Sequence, residues 1–198
     1  TLDQDSRLPD DYLSTALEYA SSRVYAGARI GALGAEVIAD ASGVMRYPIR
    51  EVSGRLSTEE VIQTGTLWNV AALIEIGGFD ETLGMDAVDA AACLALRRSG
   101  YVIELVPGTS VEHSIGSSRQ ISLAGRPVMI TGHSAERRAS MLRNRLRLFP
   151  QEFSESPRHA IRTLRRVTVN QLVGLLVEGE RWEKAKGTAR GITPTRTR

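Results

Sequence analysis

The sequence predicts an α/β layer with a mainly parallel sheet flanked by helices, followed by an Arg-rich helical extension. Three observations predict it. Up to residue 133, short apolar runs suited to strands alternate with segments of helical period, the pattern that layers helices on a sheet. Paired Gly and Pro residues punctuate those segments. From Ser134 onward strand-like runs cease and arginines recur at helical spacing.

The elements follow in order. Behind a Pro9-Asp10-Asp11 start, Tyr12, Leu13, Ala16, Leu17 and Ala20 recur at the helical spacing, so Asp10 to Ser21 is expected to be a helix. Tyr25 to Ala39 is rich in Gly, Ala, Ile and Val and suits a short buried strand. Asp40 to Thr58 is polar, holds Ser-Gly twice and reads as a surface loop. Thr66 to Ile76 reads as a strand entering a helix that Gly77-Gly78 closes. Ala87 to Ser99 has a strong helical pattern with Gly100 as its stop. Tyr101 to Val106 alternates like a strand, ended by Pro107-Gly108. In the extension, Ile161, Leu164, Thr168, Leu172 and Leu175 share one helical face, with Arg158, Arg162, Arg165 and Arg166 mostly on another. These boundaries separate residues 1–133 from a basic helical extension over 134–198.

Composition narrows the function classes. The 198 residues are 42% hydrophobic and 24% charged, enough for one domain with a real core. A single cysteine, Cys93, rules out an internal disulfide; it lies in an apolar run with no base evident beside it and reads as a small core residue. No run approaches the about 18 apolar residues needed to span a bilayer. The net charge of +2 conceals an asymmetry. Residues 1–136 carry 10 basic against 18 acidic side chains, and residues 137–198 carry 15 against 5. A basic tail on an acidic body points to an anionic partner, whether lipid headgroups, a polyanionic substrate or nucleic acid. The aromatic content of 5% and the lack of a recognisable binding motif argue against nucleic acid.

Asp3 and Asp5 stand one residue apart. In an extended or turn segment, carboxylates at that spacing can face one hard divalent cation such as Mg²⁺ or Mn²⁺; two acids before Pro9 also suit a solvated turn. Asp86 and Asp89 stand where a helix opens and would serve as N-terminal caps or as functional carboxylates. His113 follows a predicted strand, and Arg137, Arg138, Arg143 and Arg145 cluster nearby in sequence; a satisfied histidine and a solvated helix face are their plain alternatives.

Taken in order, these features resemble a family-two glycosyltransferase of the GT-A fold, closest to the bacterial rhamnosyltransferase branch. The resemblance rests on Leu-Asp-Gln-Asp-Ser at 2–6, Ile-Gly-Gly-Phe-Asp-Glu at 76–81 and Met-Asp-Ala-Val-Asp at 85–89. Leu-Arg-Arg-Ser-Gly-Tyr at 96–101, Glu-His-Ser-Ile-Gly at 112–116 and Leu-Arg-Asn-Arg at 142–145 complete it. It implies that Asp3 and Asp5 hold a metal, Mg²⁺ or Mn²⁺, against the diphosphate of a dTDP- or UDP-sugar, and that His113 completes the metal shell. It implies that Asp89 is the general base of an inverting transfer, with Asp86 orienting it or contacting the acceptor. Trp68 is read two ways, as a ring stacked on a sugar or as a core tryptophan.

The implied acceptor is a lipid-linked or polysaccharide glycan of the cell envelope. The implied location is cytoplasmic, peripheral on the inner face of a bacterial membrane, with the basic tail on anionic lipid. A homo-oligomer stays open, as does the plain alternative of a tail that packs on the catalytic part. Relatives carry polar side chains where Ala90, Ala91, Ala92 and Ala95 stand here. They also carry a nucleotide-binding βαβ portion ahead of the Asp-x-Asp pair, so the chain is expected to be a fragment or a processed product. Both departures favour the rival reading, a catalytically silent module for membrane docking or assembly. A phosphatase of the Asp-x-Asp class would want Thr or Val where Arg7 stands, and a calcium loop is denied by Arg7-Leu8.

Overall fold

The computed structural model describes residues 1–40, 43–113, 119–123, 126–130, 132–177 and 181–192. In chain order the elements are β1 (Ser6–Arg7), α1 (Tyr12–Tyr25), β2 (Ile30–Asp40), β3 (Gly43–Arg46), β4 (Ile49–Val52), β5 (Arg55–Thr58), β6 (Leu67–Trp68) and α2 (Val70–Glu75). There follow α3 (Val88–Arg98), β7 (Val102–His113), β8 (Arg119–Leu123), β9 (Arg126–Ile130), α4 (Ala135–Glu155), α5 (Pro157–Val177) and α6 (Arg181–Ile192). Contacts divide the chain into two units. The first comprises Thr1–Glu81 and Val88–Ser114, the second Thr82–Ala87 and Ile115–Arg198. The boundary expected at 133/134 therefore falls inside the second unit.

The first unit is an α/β layer built on a mixed seven-stranded sheet in the order β3-β2-β7-β5-β4, with β1 on β7 and β6 on β2. The expectation of a mainly parallel sheet is corrected. Only β2 and β7 pair in parallel, and the other five pairings are antiparallel. Parallel pairing needs a long crossover, which the chain between β2 and β7 supplies; β4 and β5 pair across a two-residue turn, whereas β1, β5 and β6 meet their antiparallel partners from distant positions. The described residues between Asp40 and Thr58 are accordingly not a loop. They form β3, β4 and β5, and Ser53 and Gly54, at φ 52° and 73°, make the two-residue turn whose twist matches the flanking strands.

The second correction concerns β7, which does not stop at Pro107-Gly108. Between Val106 and Ser110 it takes four steps where β2 takes two from Ala35 to Val37, so the extra residues bulge. Thr109 Oγ1 donates to Val106 O and accepts from Glu36 N, while Gly108 N donates to a Glu36 carboxylate oxygen at 2.8 Å. With its polar groups satisfied, the strand runs on to His113.

Helix ends obey local rules. Beyond α3, Gly100 at φ 80° sends its N–H to Arg97 O while Tyr101 N reaches Leu96 O, the paired bonds of a glycine C-terminal cap. Gly77 and Gly78 close α2 in the same way. Tyr12, Ala32, Ile38, Cys93, Leu96 and Leu105 belong to a buried cluster between sheet and helices. Within it, burial pushes the Cys93 thiol far above its usual range, as expected of a core residue rather than a nucleophile. Arg23 and Glu104 add a buried ion pair, with Nε and Nη2 each 2.8 Å from a carboxylate oxygen.

The second unit holds the β8–β9 hairpin and three helices. No described helix is long and apolar enough to cross a membrane. The buried face of α5 runs through His159, Ala160, Thr163, Val167, Gln171 and Val173, whereas Ile161 and Leu172 are more than half exposed. The apolar face expected from period is thus not the packed one. The reason is a polar tie. Arg138, 3% exposed, donates to Gln171 Oε1, Gln171 Nε2 returns a bond to Arg138 O, and Thr188 Oγ1 also donates to Gln171 Oε1. The three helices meet on a buried hydrogen-bond network, which a hydrophobic periodicity does not register.

Candidate functional site

Ser6 N donates to Asp3 O at 3.1 Å, so Asp3 to Ser6 is a tight turn rather than an extended segment. Asp3 N donates to Thr64 Oγ1 at 3.2 Å, which anchors the turn to the chain ahead of β6. Ser6 then pairs with His113 and Arg7 with Glu112, so the short β1 lies antiparallel on the last residues of β7. That pairing brings together residues more than a hundred positions apart. One oxygen from Asp3, one from Asp5 and a ring nitrogen of His113 all lie within 4.8 Å of one another. His113 Nδ1 is 3.5 Å from Asp5 Oδ1 and 2.8 Å from Ser6 Oγ.

Two carboxylates and one imidazole form an oxygen-rich donor set with a single borderline nitrogen. It suits Mn²⁺ somewhat better than Mg²⁺, which prefers oxygen throughout. Were a cation held there, three protein donors would leave positions open for water or phosphate oxygens. The Asp5 side chain is 46% exposed, so a ligand reaches the cluster from solvent. Beside it opens a groove of about 510 Å³, lined by Asp5, Ser6, Arg7, Ala39, Asp40, Glu112 and His113.

The other expected residues lie elsewhere. Asp89 is not a member of this cluster; it sits in the first turn of α3, where its Oδ1 accepts from Ala90 N at 2.8 Å, a helix-opening role. Burial chiefly raises the Tyr47 hydroxyl well above the usual range, and the charge of Asp89 adds to it. Trp68 donates through Nε1 to Thr1 Oγ1 at 3.0 Å, meets Phe79 edge-on at 5.2 Å and packs against the core cluster. The structure therefore gives it packing partners consistent with the core alternative.

Asp86 belongs to the second unit. Its Oδ1 is 3.4 Å from Arg137 Nε, and its backbone carbonyl accepts from Asn144 Nδ2 at 2.7 Å. Asn144 also donates to Leu83 O at 2.8 Å, so one buried amide clamps the 83–86 turn. The next residue, Ala87, is held at φ 67°, a left-handed conformation that a β-carbon disfavours. Of the arginine cluster, the buried Arg138 and the half-buried Arg145 are structural ties, Arg145 reaching Glu152 at 3.1 Å, whereas Arg137 is exposed. Ser114, Ile115 and Gly116 of the expected motif lie outside the described residues.

Sequence reasoning quotes Ser6 and Asn144 within motifs without giving either a role, and does not single out Thr64. Ser6 sits next to Asp5 and was open to inspection; nothing around Thr64 marks it, because its contacts lie about sixty positions away. No protein-family model, curated protein or solved structure matches the chain.

Proposed function

We propose that the chain is the metal-binding part of an inverting, divalent-cation-dependent glycosyltransferase with a partial GT-A fold. It would transfer a sugar, rhamnose on the motif resemblance, from a nucleotide-sugar donor to a lipid-linked or polysaccharide acceptor. The observation that carries the reading is the convergence of Asp3, Asp5 and His113 at the mouth of an open groove. A divalent cation held there supplies positive charge to a departing diphosphate.

The chain's own residues would do the rest. The acceptor oxygen attacks the anomeric carbon as the bond from that carbon to the diphosphate oxygen breaks, and the hydroxyl proton passes to the Asp89 carboxylate. Arg7, Asp40 and Glu112, lining the groove, offer the charged hydrogen-bonding groups that a polyhydroxyl ligand needs. Exposed Ile161, Leu172 and Leu176 on the same helix as exposed Arg158 and Arg165 support an anionic bilayer as a docking surface.

The test combines cation titration with turnover. Mn²⁺ binding should saturate at one site and disappear in Asp3→Asn and Asp5→Asn, and UDP or dTDP should bind only with the cation present. Asp89→Asn should abolish transfer yet leave donor binding nearly intact; equal loss of both sinks the base assignment. Saturable metal and nucleotide binding without transfer or donor hydrolysis would favour the silent module.

A further inference from the structure

The turn ahead of α3 carries two marks of a functional segment. Ala87 stands at φ 67°, a left-handed conformation that a residue with a β-carbon keeps only where its surroundings impose it. Asp86 Oδ2 is buried and has no hydrogen-bond partner among the described residues. Backbone strain gathers at sites that bind or react, and an unpaired buried polar atom calls for the same explanation.

The turn is held by α4, and all the residues concerned belong to the second unit. Arg137, Asn144 and Arg147 share one face of that helix. Arg147 Nη1 donates to Thr82 Oγ1 at 2.7 Å, and Arg137 Nε stands 3.4 Å from Asp86 Oδ1, both in exposed settings. Asn144 is 5% exposed, and its Nδ2 donates to Leu83 O at 2.8 Å and to Asp86 O at 2.7 Å. Water competes least with these two bonds, so they dominate the hold. The orientation of the amide is fixed by its partners. Both are carbonyls, which only accept, so the nitrogen must face them.

We propose that Asn144 is a positioning residue: by bridging the carbonyls of Leu83 and Asp86 it keeps Ala87 left-handed and sets the Asp86 carboxylate for sugar transfer. The last clause rests on the function proposed above; the clasp itself does not. Such a clasp has a signature. Without the amide, alanine at 87 relaxes out of the left-handed region. Glycine there has no strain to relieve, so the turn persists.

The experiment uses the full chain. NMR couplings that report φ are read at residue 87, together with solvent exchange of the Asn144 Nδ2 protons. In the wild type we expect a positive φ and slow exchange. Asn144→Ala should move residue 87 out of positive φ and lower turnover of a dTDP- or UDP-sugar by about 100-fold, the order that a small misplacement costs. Binding of UDP or dTDP with Mn²⁺ should not change. Adding Ala87→Gly to Asn144→Ala should restore the positive φ and most of the turnover. The urea midpoint of that double variant should stay below that of Ala87→Gly alone, because glycine replaces no hydrogen bond. A purely stabilising role would not separate these readouts.

A positive φ retained in Asn144→Ala overturns the proposal, as does turnover that the added glycine fails to recover. If the wild type shows neither transfer nor donor hydrolysis, the glycosyltransferase reading falls and the Asp86 clause with it, while the couplings still decide the clasp. Should Asn144→Ala fail to fold, the wild-type amide decides, since Nδ2 protons that exchange freely with solvent overturn the clasp.

Discussion

Gly65→Ala tests how the backbone holds the candidate site, because this glycine adjoins Thr64 and leans on the strand that delivers His113. Gly65 has φ 67°, where an L-residue with a β-carbon incurs about 1–2 kcal/mol. Its N–H donates to Thr1 O, and its carbonyl accepts from the Tyr12 hydroxyl. An added β-carbon would stand 2.7 Å from Val111 Cγ2 and 3.4 Å from Val111 Cβ and Cγ1. Val111 is fully buried and β-branched, so it has little freedom to turn away. Overpacking of that kind costs about 1–3 kcal/mol. The stiffer unfolded chain offsets about 0.4–1 kcal/mol of this, leaving a net loss of about 1–4.5 kcal/mol.

Urea unfolding measures it, with Gly54→Ala as control. Gly54 has φ 73° with nothing within 4 Å of its added β-carbon, so it reports the backbone penalty alone. Val111→Ala placed in the Gly65→Ala background should recover part of the loss, and Mn²⁺ affinity should follow stability. Equal losses at Gly65 and Gly54 would refute the packing argument.

Three further outcomes follow from the same structure. Arg23→Met should cost about 3–5 kcal/mol in urea unfolding, since it strands the buried Glu104 carboxylate, 3% exposed, whereas Arg23→Met with Glu104→Leu should cost less than the single change. Gly187→Ala should destabilise the second unit despite alanine's better helix propensity, because the new methyl would collide with the Ala135 carbonyl of α4; helicity and urea midpoint read it, and a stabilised variant would count against close α4–α6 packing. Burial pushes the Tyr12 hydroxyl up to about 12 from 10. The folded state therefore favours the neutral phenol, and this contribution is complete below pH 10 and declines as pH rises from 10 towards about 12. Tyr12→Phe should flatten that part of an alkaline stability profile.

What the sequence determined by itself is local. The stripe Tyr12, Ala16, Ala20 makes α1, and Gly100 ends α3, because helical period and a left-handed cap are set within a few residues. The Arg-rich helices after Ser134 were legible for the same reason. Asp3, Asp5 and His113 could be named as ligand types, but their spacing in the chain says nothing of their distance in space. Tertiary structure decided that: β7 crosses its Pro107-Gly108 bulge and meets β1 at Ser6, and only this pairing brings the imidazole to the carboxylates. Strands β3 and β4 were hidden because their residues are largely exposed on both faces, so no alternation betrays them; backbone pairing holds them instead, with one tight turn joining β4 to β5. The packed face of α5 was hidden too, since Gln171 is buried by its bonds to Arg138 and Thr188, a pairing that no apolar period encodes. Period and punctuation act over a few residues, whereas strand partners and buried polar pairs are chosen between distant segments.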